Sequence, residues 1–93
     1  MIQRRLLVLN PADNVAVALT ALSAGETLVV SGSPLRTAIA VQMNIPSGHK
    51  IALREMKPGE TVVKYGQPIG TVTQNIAAGE HVHIHNVVSA RAG

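Results

Sequence analysis

The sequence predicts a single small domain of the mainly β class, spanning residues 1–93. Three observations favour this class. A turn pattern centred on glycine recurs four times along the chain. Seven short segments of alternating or β-branched residues lie between these turns and other glycine or proline breaks, which is typical of a barrel-like or clip-like β domain. No linker or low-complexity tract divides the chain, whose length suits one limited core.

The turn pattern reads apolar, two small or turn-forming residues, Gly, a polar residue, any residue, apolar. In its third copy, Pro58-Gly59 suits the two central positions of a type II turn, because proline presets φ and glycine accepts positive φ. We therefore predict four turns that each lead into a strand, and their unequal spacing argues against a solenoid. The copies are Leu22–Leu28, Ile45–Ile51, Met56–Val62 and Ile76–Val82.

The strands follow from the segments between the turns. Ser33–Val41 is ambiguous, because Leu35, Ala38 and Ile39 have helical spacing behind a Ser-Pro start, so we expect at most one or two short helical turns there. Pro68 must lie at a strand start, a turn or a sheet edge. The predicted strands are Leu6–Leu9, Val15–Leu19, Thr27–Ser31, Lys50–Arg54, Thr61–Lys64, Ile69–Thr73 and His81–His85.

Composition limits the core and the classes of function. Tyr65 is the one aromatic residue and cysteine is absent, so the core is built from small aliphatic side chains, and we expect a partner chain or a homo-oligomer to bury more surface. The net charge of +3 comes from scattered basic residues. Without stacking aromatics this argues against nucleic acid and suits an anionic small molecule. The apolar run Leu6–Leu9 is too short for a secretion signal or a membrane span, so we expect a cytoplasmic protein.

Three of the four histidines lie in the last predicted strand, as His81, His83 and His85. Residues i, i+2 and i+4 of a strand point to one face, so these side chains are predicted to form a row. Imidazoles at this spacing can share a divalent metal ion, move a proton or hold a polar substrate, and spacing alone does not separate these uses. The alternative is that these histidines lie on a solvent-exposed strand and have no functional role.

The fourth histidine, His49, occupies the position after the turn glycine, where the other copies have glutamate. This position can simply be an exposed one that tolerates any polar residue. If two of the turns converge, however, His49 comes close to His83, and the neighbouring Lys50 can bind a carboxylate.

Two further segments are turns that can also reach a site. Asn10–Asn14 has turn composition, and Asp13 and Asn14 are candidates to face the pocket from a loop. Tyr65 is either a packing residue or a hydrogen-bond donor to substrate. The sequence has no phosphate-binding loop and no nucleophile triad, which argues against an NTPase or a triad hydrolase.

Several strings of residues closely resemble the amino-terminal SAF domain of altronate and galactarate dehydratases. The resemblance runs from about Leu9 to Val87, in matching order. Its most specific parts are the Gly-His-Lys string and the longer Glu-His-Val-His-x-His-Asn string. The matching segments are Asp13–Ala18, Ile45–Leu53, Lys64–Gly70 and Asn75–Asn86.

The resemblance implies a β-clip fold and a part in eliminating water from a sugar acid, with a divalent metal, Fe²⁺ before Mn²⁺. It also implies a large catalytic subunit or region as partner, without which this chain is expected to be inactive. Under this interpretation His81, His83 and His85 are metal ligands, and His49 and His83 move protons. The predicted substrate contacts are Lys50, Asp13, Asn14 and Tyr65.

Two alternatives remain at this stage. The small subunit of sulfolactate sulfo-lyase has a similar split arrangement, with a sulfonate in place of a sugar acid. A non-catalytic SAF module that binds carbohydrate or protein is the alternative from another class, and it leaves the histidine row without a role.

Overall fold

The structure is a computed structural model that describes residues 5–30 and 38–89. Within these residues every regular element is a β-strand and all strand pairs are antiparallel. The nine strands are β1 (Leu6–Leu7), β2 (Val15–Ala18), β3 (Thr27–Val29), β4 (Ala38–Ala40), β5 (Lys50–Ala52), β6 (Thr61–Lys64), β7 (Gln67–Val72), β8 (His81–Val82) and β9 (Val87–Ser89).

The four predicted turns are confirmed and share one geometry. Gly25, Gly48, Gly59 and Gly79 all have positive φ, between 86° and 93°, which suits glycine at the third position of a type II turn. In each copy the residue after glycine donates its N–H to the carbonyl three positions earlier, as Glu60 does to Lys57 at 3.0 Å. The hydrogen bond that closes each turn therefore lies within its own local sequence.

The turns are joined in pairs, which divides the domain into two similar halves. Leu22 forms a β-bridge with Ile45, and Met56 forms one with Ile76. In both halves the N–H of a turn glycine donates to a backbone carbonyl of a neighbouring strand, and the N–H of that acceptor residue donates to the carbonyl of the residue after the glycine. In the first half, Gly48 N–H donates to the Ala18 carbonyl and Ala18 N–H donates to the His49 carbonyl. In the second half Gly79 and Glu80 pair with Ala52. The segments Ala18–Glu26 and Ala52–Glu60 thus form an internal repeat. The unequal intervals between the four turn glycines do not reveal this repeat in the sequence.

Three small sheets are built on this frame. Their orders are β1-β2-β5-β8, β3-β4 and β6-β7-β9. One buried cluster centres on Leu22, Ile45 and Ile51 in the first half, and a second centres on Met56, Val62 and Ile76 in the other half. Strands β2 and β5 contribute to both clusters, so the central sheet joins the two cores and fixes the position of its edge strand, β8.

The predicted strands all have counterparts, with three differences. The described part of Ser33–Val41, which was ambiguous in sequence, contains no helical turn, because Ala38–Ala40 is a strand paired with β3; residues 33–37 lie outside the described residues, as does Ser31. Strand β9 was not predicted. The predicted strand His81–His85 is too long, because β8 ends at Val82 and the chain turns over residues 83–86.

Pro68 lies near the start of β7, where the only partner strand is β6 and the register shifts between Val62 and Val63. Strand β9 pairs with β7 only from Gly70 onwards. The proline therefore occupies an edge position beside a β-bulge, where its missing N–H removes no ladder hydrogen bond.

Candidate functional site

The pairing of β5 with β8 brings the two histidine-bearing turns together. Each of these strands follows one copy of the turn, and Ile51 lies directly opposite His81 in the register. His49 precedes β5 by one residue, and its carbonyl accepts a hydrogen bond from Ala18 N–H at 2.8 Å. Because residues two apart in an extended chain share a face, His49 lies on the same side of the sheet as Ile51 and His81.

A tight turn after β8 brings His83 back towards the same point. The buried Asn86 holds this turn with both ends of its side chain: Nδ2 donates to the His81 carbonyl at 2.8 Å, and Oδ1 accepts from His83 N–H at 3.0 Å. The N–H groups of Asn86 and Val87 also donate to the His83 carbonyl. The prediction of an extended row of three histidines is therefore wrong, because the chain turns after β8.

Three of the four imidazoles converge on one small volume. Nδ1 of His49 lies 2.8 Å from Nε2 of His81, and the ring centroids of His49 and His83 are 4.4 Å apart. The rings of His81 and His83 stack, with centroids 5.4 Å apart and an interplanar angle of 12°. One nitrogen from each of these three histidines lies within 4.8 Å of the other two. We call His49, His81 and His83 the histidine trio.

His85 stands beside the trio without belonging to it. Its ring centroid is 5.3 Å from that of His81, at an angle of 39°. The predicted metal-ligand set of His81, His83 and His85 thus differs in one member from the set of converging nitrogens, in which His49 replaces His85.

The surroundings of His81 and His83 favour the neutral form of these two rings. Partial burial, followed by the nearby charges of His49, His85, His83 and Lys50, lowers the pKa of His81. For His83 desolvation is again the first cause of a lowered pKa, followed by the charges of His49, Lys50 and His85. A neutral ring keeps a lone pair on one nitrogen, so His81 and His83 are disposed to bind a cation rather than a proton.

Lys50 is close to the trio but begins on the other face of the sheet. It lies opposite Val82 in the register, whereas its neighbour His49 lies on the face of His81. Burial, and then the charge of Lys64, lowers the pKa of its ammonium group. Among residues 5–30 and 38–89 the ion pairs join Arg5 with Glu26 and Arg54 with Glu60, so Lys50 has no carboxylate partner in that part of the chain.

The other predicted substrate contacts lie away from the trio. Asn14 precedes Ala18, the neighbour of His49, by four positions, about 13 Å of extended chain. Its side chain joins β2 to β6, donating to the Thr61 carbonyl at 2.9 Å and accepting from Val63 N–H at 2.8 Å. Asp13 accepts from Gly66 N–H at 2.8 Å, which fixes the hairpin tip that carries Tyr65. The structure therefore does not bring Asp13, Asn14 or Tyr65 into the histidine cluster.

A difference between the four turns explains why His49 is available to the trio. In the other three copies the glutamate after glycine folds back and accepts the N–H of the first turn residue, at 2.5 to 2.6 Å. In the second copy that first residue is Pro46, which has no N–H to offer. The carboxylate would have no local partner there, and His49 instead points to His81.

Two residues that sequence reasoning missed therefore shape the site. Asn86 ends β8 and sets the position of His83, and Pro46 removes the donor that glutamate satisfies elsewhere. The effect of Pro46 had a visible signal in the sequence. The only copy with proline directly after its first apolar residue is also the only copy without glutamate.

Together, the small sheets and the histidine trio define a compact β module that brings three imidazole nitrogens to one point. The model of the altronate/galactarate dehydratase SAF domain matches residues 4–90. The chain belongs to this SAF-domain family, as its sequence strings indicated, and the several short antiparallel sheets agree with the expected β-clip fold.

Named relatives fall into two groups by size. The chain is 41% identical over 78 residues to the altronate dehydratases of Bacillus subtilis (strain 168) and of Escherichia coli (strain K12). Each match covers 84% of this chain and 15% of the relative, so the chain spans a small fraction of those enzymes. It is 40% identical over 88 residues to the (2R)-sulfolactate sulfo-lyase subunit alpha of Chromohalobacter salexigens, which covers 90% of this chain and 94% of that subunit.

The described residues contain no helix of the length and apolar character that crossing a membrane requires.

Proposed function

We propose that this chain is the SAF component, as small subunit or as amino-terminal domain, of a hydro-lyase that removes water from a sugar acid of the altronate or galactarate type. The observation that carries the proposal is the convergence of three histidine nitrogens within 4.8 Å of one another. The 41% identity to altronate dehydratases supports the reaction class. The proposal includes a large catalytic partner and a cytoplasmic location.

The donor set of the trio fits a first-row divalent metal. Three imidazole nitrogens can occupy one side of an ion and leave its remaining positions to water or substrate. Imidazole ligands without a carboxylate favour iron over manganese, because manganese prefers oxygen donors. We propose that His49, His81 and His83 hold this ion, and that it is Fe²⁺, as the resemblance to the dehydratase family implies. When bound, such an ion supplies Lewis acidity towards a hydroxyl or carboxylate oxygen of the substrate.

The remaining groups of the cluster can serve substrate binding and proton transfer. Elimination of a β-hydroxyl from a hydroxy acid requires removal of the α-proton and protonation of the leaving oxygen. His85 lies outside the trio, with its ring 5.3 Å from that of His81, so it is the imidazole in the best position to hold a proton. This moves the proton-transfer role expected for His49 and His83 to His85. Lys50, which lacks a carboxylate partner among the described residues, is the group that we propose pairs with a substrate carboxylate.

A second candidate is the alpha subunit of a sulfolactate sulfo-lyase. The observation that favours it is size, because this chain and that subunit match over 94% of the subunit's length. Both candidates use the same site and differ in the leaving group. A panel of altronate, galactarate and sulfolactate, offered to the assembled enzyme, separates them by which substrate is consumed.

The proposal is tested by iron titration and turnover of three variants in the native assembly. We expect His83→Ala and His49→Ala to lose most bound iron and most turnover, because each removes one of three ligands. The matched variant His85→Ala should keep its iron and lose turnover only. Unchanged iron occupancy together with unchanged turnover in His83→Ala would refute the assignment.

A further inference from the structure

The turn that carries His83 also carries Ile84, whose side chain is the most exposed large apolar one among the described residues. Ile84 is 85% exposed, more than any other large hydrophobic residue in the described part of the chain. Isolated exposed apolar residues are common on protein surfaces and need no explanation by themselves. Ile84 differs because of how firmly its backbone is held and because of what surrounds it.

The backbone on both sides of Ile84 is fixed by side-chain hydrogen bonds. Asn86 binds the His83 N–H and the His81 carbonyl, and Nε2 of Gln74 donates to the His85 carbonyl at 2.5 Å. The turn is further closed by the Asn86 N–H, which donates to the His83 carbonyl. An apolar side chain on a preordered turn loses little conformational entropy when a partner covers it, which is the property of an interface anchor.

The charged groups that act most strongly on His81 and His83 are basic. The groups that lower the pKa of His81 and His83 are imidazoles and Lys50, with no carboxylate among them. Asp13 accepts from the tip of the β6-β7 hairpin, and Glu26, Glu60 and Glu80 accept N–H groups of their own turns, so these carboxylates are directed to backbone donors and not to Lys50. This side of the domain is therefore complementary to a surface that carries carboxylates.

The relatives indicate what such a surface belongs to. The chain matches only 15% of two altronate dehydratases, so most of each of those enzymes lies outside this domain. The relative of matching length is named as one subunit of an enzyme. A histidine trio at an open surface, with an apolar anchor one residue away, suits a site that is completed by another body of protein.

We propose that the turn at residues 83–86 is the docking element for the large catalytic partner, with Ile84 inserted into an apolar pocket whose rim carries carboxylates facing Lys50 and His85. The inference rests on the proposed function, since that function requires the large partner. It adds the surface that binds the partner and the residue that anchors it.

The test compares two substitutions of exposed apolar residues in the assembly isolated from the host. The large component is identified by mass spectrometry and co-expressed with Ile84→Asp or with the matched control Val29→Asp, which alters a 64% exposed side chain on β3. We expect Ile84→Asp to weaken binding of the partner by about 30-fold or more, as at interface hot spots. The isolated Ile84→Asp variant should keep the melting temperature of the unchanged chain, and Val29→Asp should bind the partner normally.

Three outcomes would overturn the proposal: normal assembly of Ile84→Asp, equal loss of assembly in Val29→Asp, or a change in Ile84→Asp confined to self-association of this chain. A different outcome would refute the proposed function without refuting the docking surface. An assembly that depends on Ile84 but consumes no sugar acid or sulfolactate refutes the lyase reaction and leaves the docking surface in place.

Discussion

Replacing Asn86 with alanine separates the stability of this domain from the assembly of its histidine trio. Asn86 is 4% exposed and makes two hydrogen bonds to backbone groups, at 2.8 and 3.0 Å. Its removal leaves a carbonyl and an N–H without these partners, at about 1–2 kcal/mol each. We therefore expect the free energy of unfolding to fall by about 2–4 kcal/mol.

Asn14 provides a matched control. It is equally buried, at 4% exposure, and its side chain also makes two hydrogen bonds to backbone groups, at 2.8 and 2.9 Å. Asn14→Ala should cost a similar free energy of unfolding, but it loosens the junction of β2 and β6 and leaves the turn after β8 intact. Only Asn86→Ala frees His83 to leave the trio, so we expect its iron affinity alone to fall, by about tenfold or more.

The measurements are urea unfolding for stability and anaerobic Fe²⁺ titration for affinity, with circular dichroism to establish that each variant is folded at the titration temperature. Asn86→Asp keeps the oxygen that accepts from His83 N–H and should give an intermediate affinity. The reasoning is refuted if Asn86→Ala and Asn14→Ala, both folded, bind iron equally well or lose it equally.

Two further predictions concern the turn and the protonation of the trio. The double substitution Pro46→Ala with His49→Glu restores the arrangement of the other three turns, so stability should change by no more than about 1 kcal/mol while iron affinity falls by at least about tenfold; unchanged iron binding would contradict the role of His49. Because the pKa values of His81 and His83 are lowered on folding, the unfolded chain binds their protons at a higher pH than the folded chain does. The free energy of unfolding of the metal-free protein should therefore decrease as pH falls from about 7 through 6.5 and below. Urea unfolding in the presence of a chelator measures this decrease, which should be shallower in His81→Asn. An identical pH dependence in both proteins would refute this prediction.

Local patterns predicted much of the fold because the information for a turn lies within a few residues. Glycine at a position of positive φ, followed by a glutamate that can bind the first N–H of the turn, is enough to form the corner at Gly25 or Gly59. The alternating segments between the turns predicted seven strands, because alternation is also a pattern within a few neighbouring residues. Strand β4 was missed because the spacing of Leu35, Ala38 and Ile39 suits a helix, whereas pairing with β3 made Ala38–Ala40 extended.

The sequence predicted that His49 approaches the terminal histidines only if two of the turns converge. The sequence repeats the turn but does not say which strands pair, and pairing of β5 with β8 satisfies that condition. The metal-ligand set was predicted from an alternation of period two, which holds only while the chain stays extended. That alternation cannot show where a strand ends.

The sequence by itself determined the corners, the all-β class, the family and the residue types that can bind a metal, because each of these depends on local backbone preference or on a recognisable string. Tertiary structure alone decided the membership of the trio. Asn86 reaches back to bind the backbone of His81 and His83, so the chain turns after Val82 and His85 is displaced from the converging nitrogens. Pairing across the central sheet supplies His49 in its place, through a contact between residues far apart in the chain.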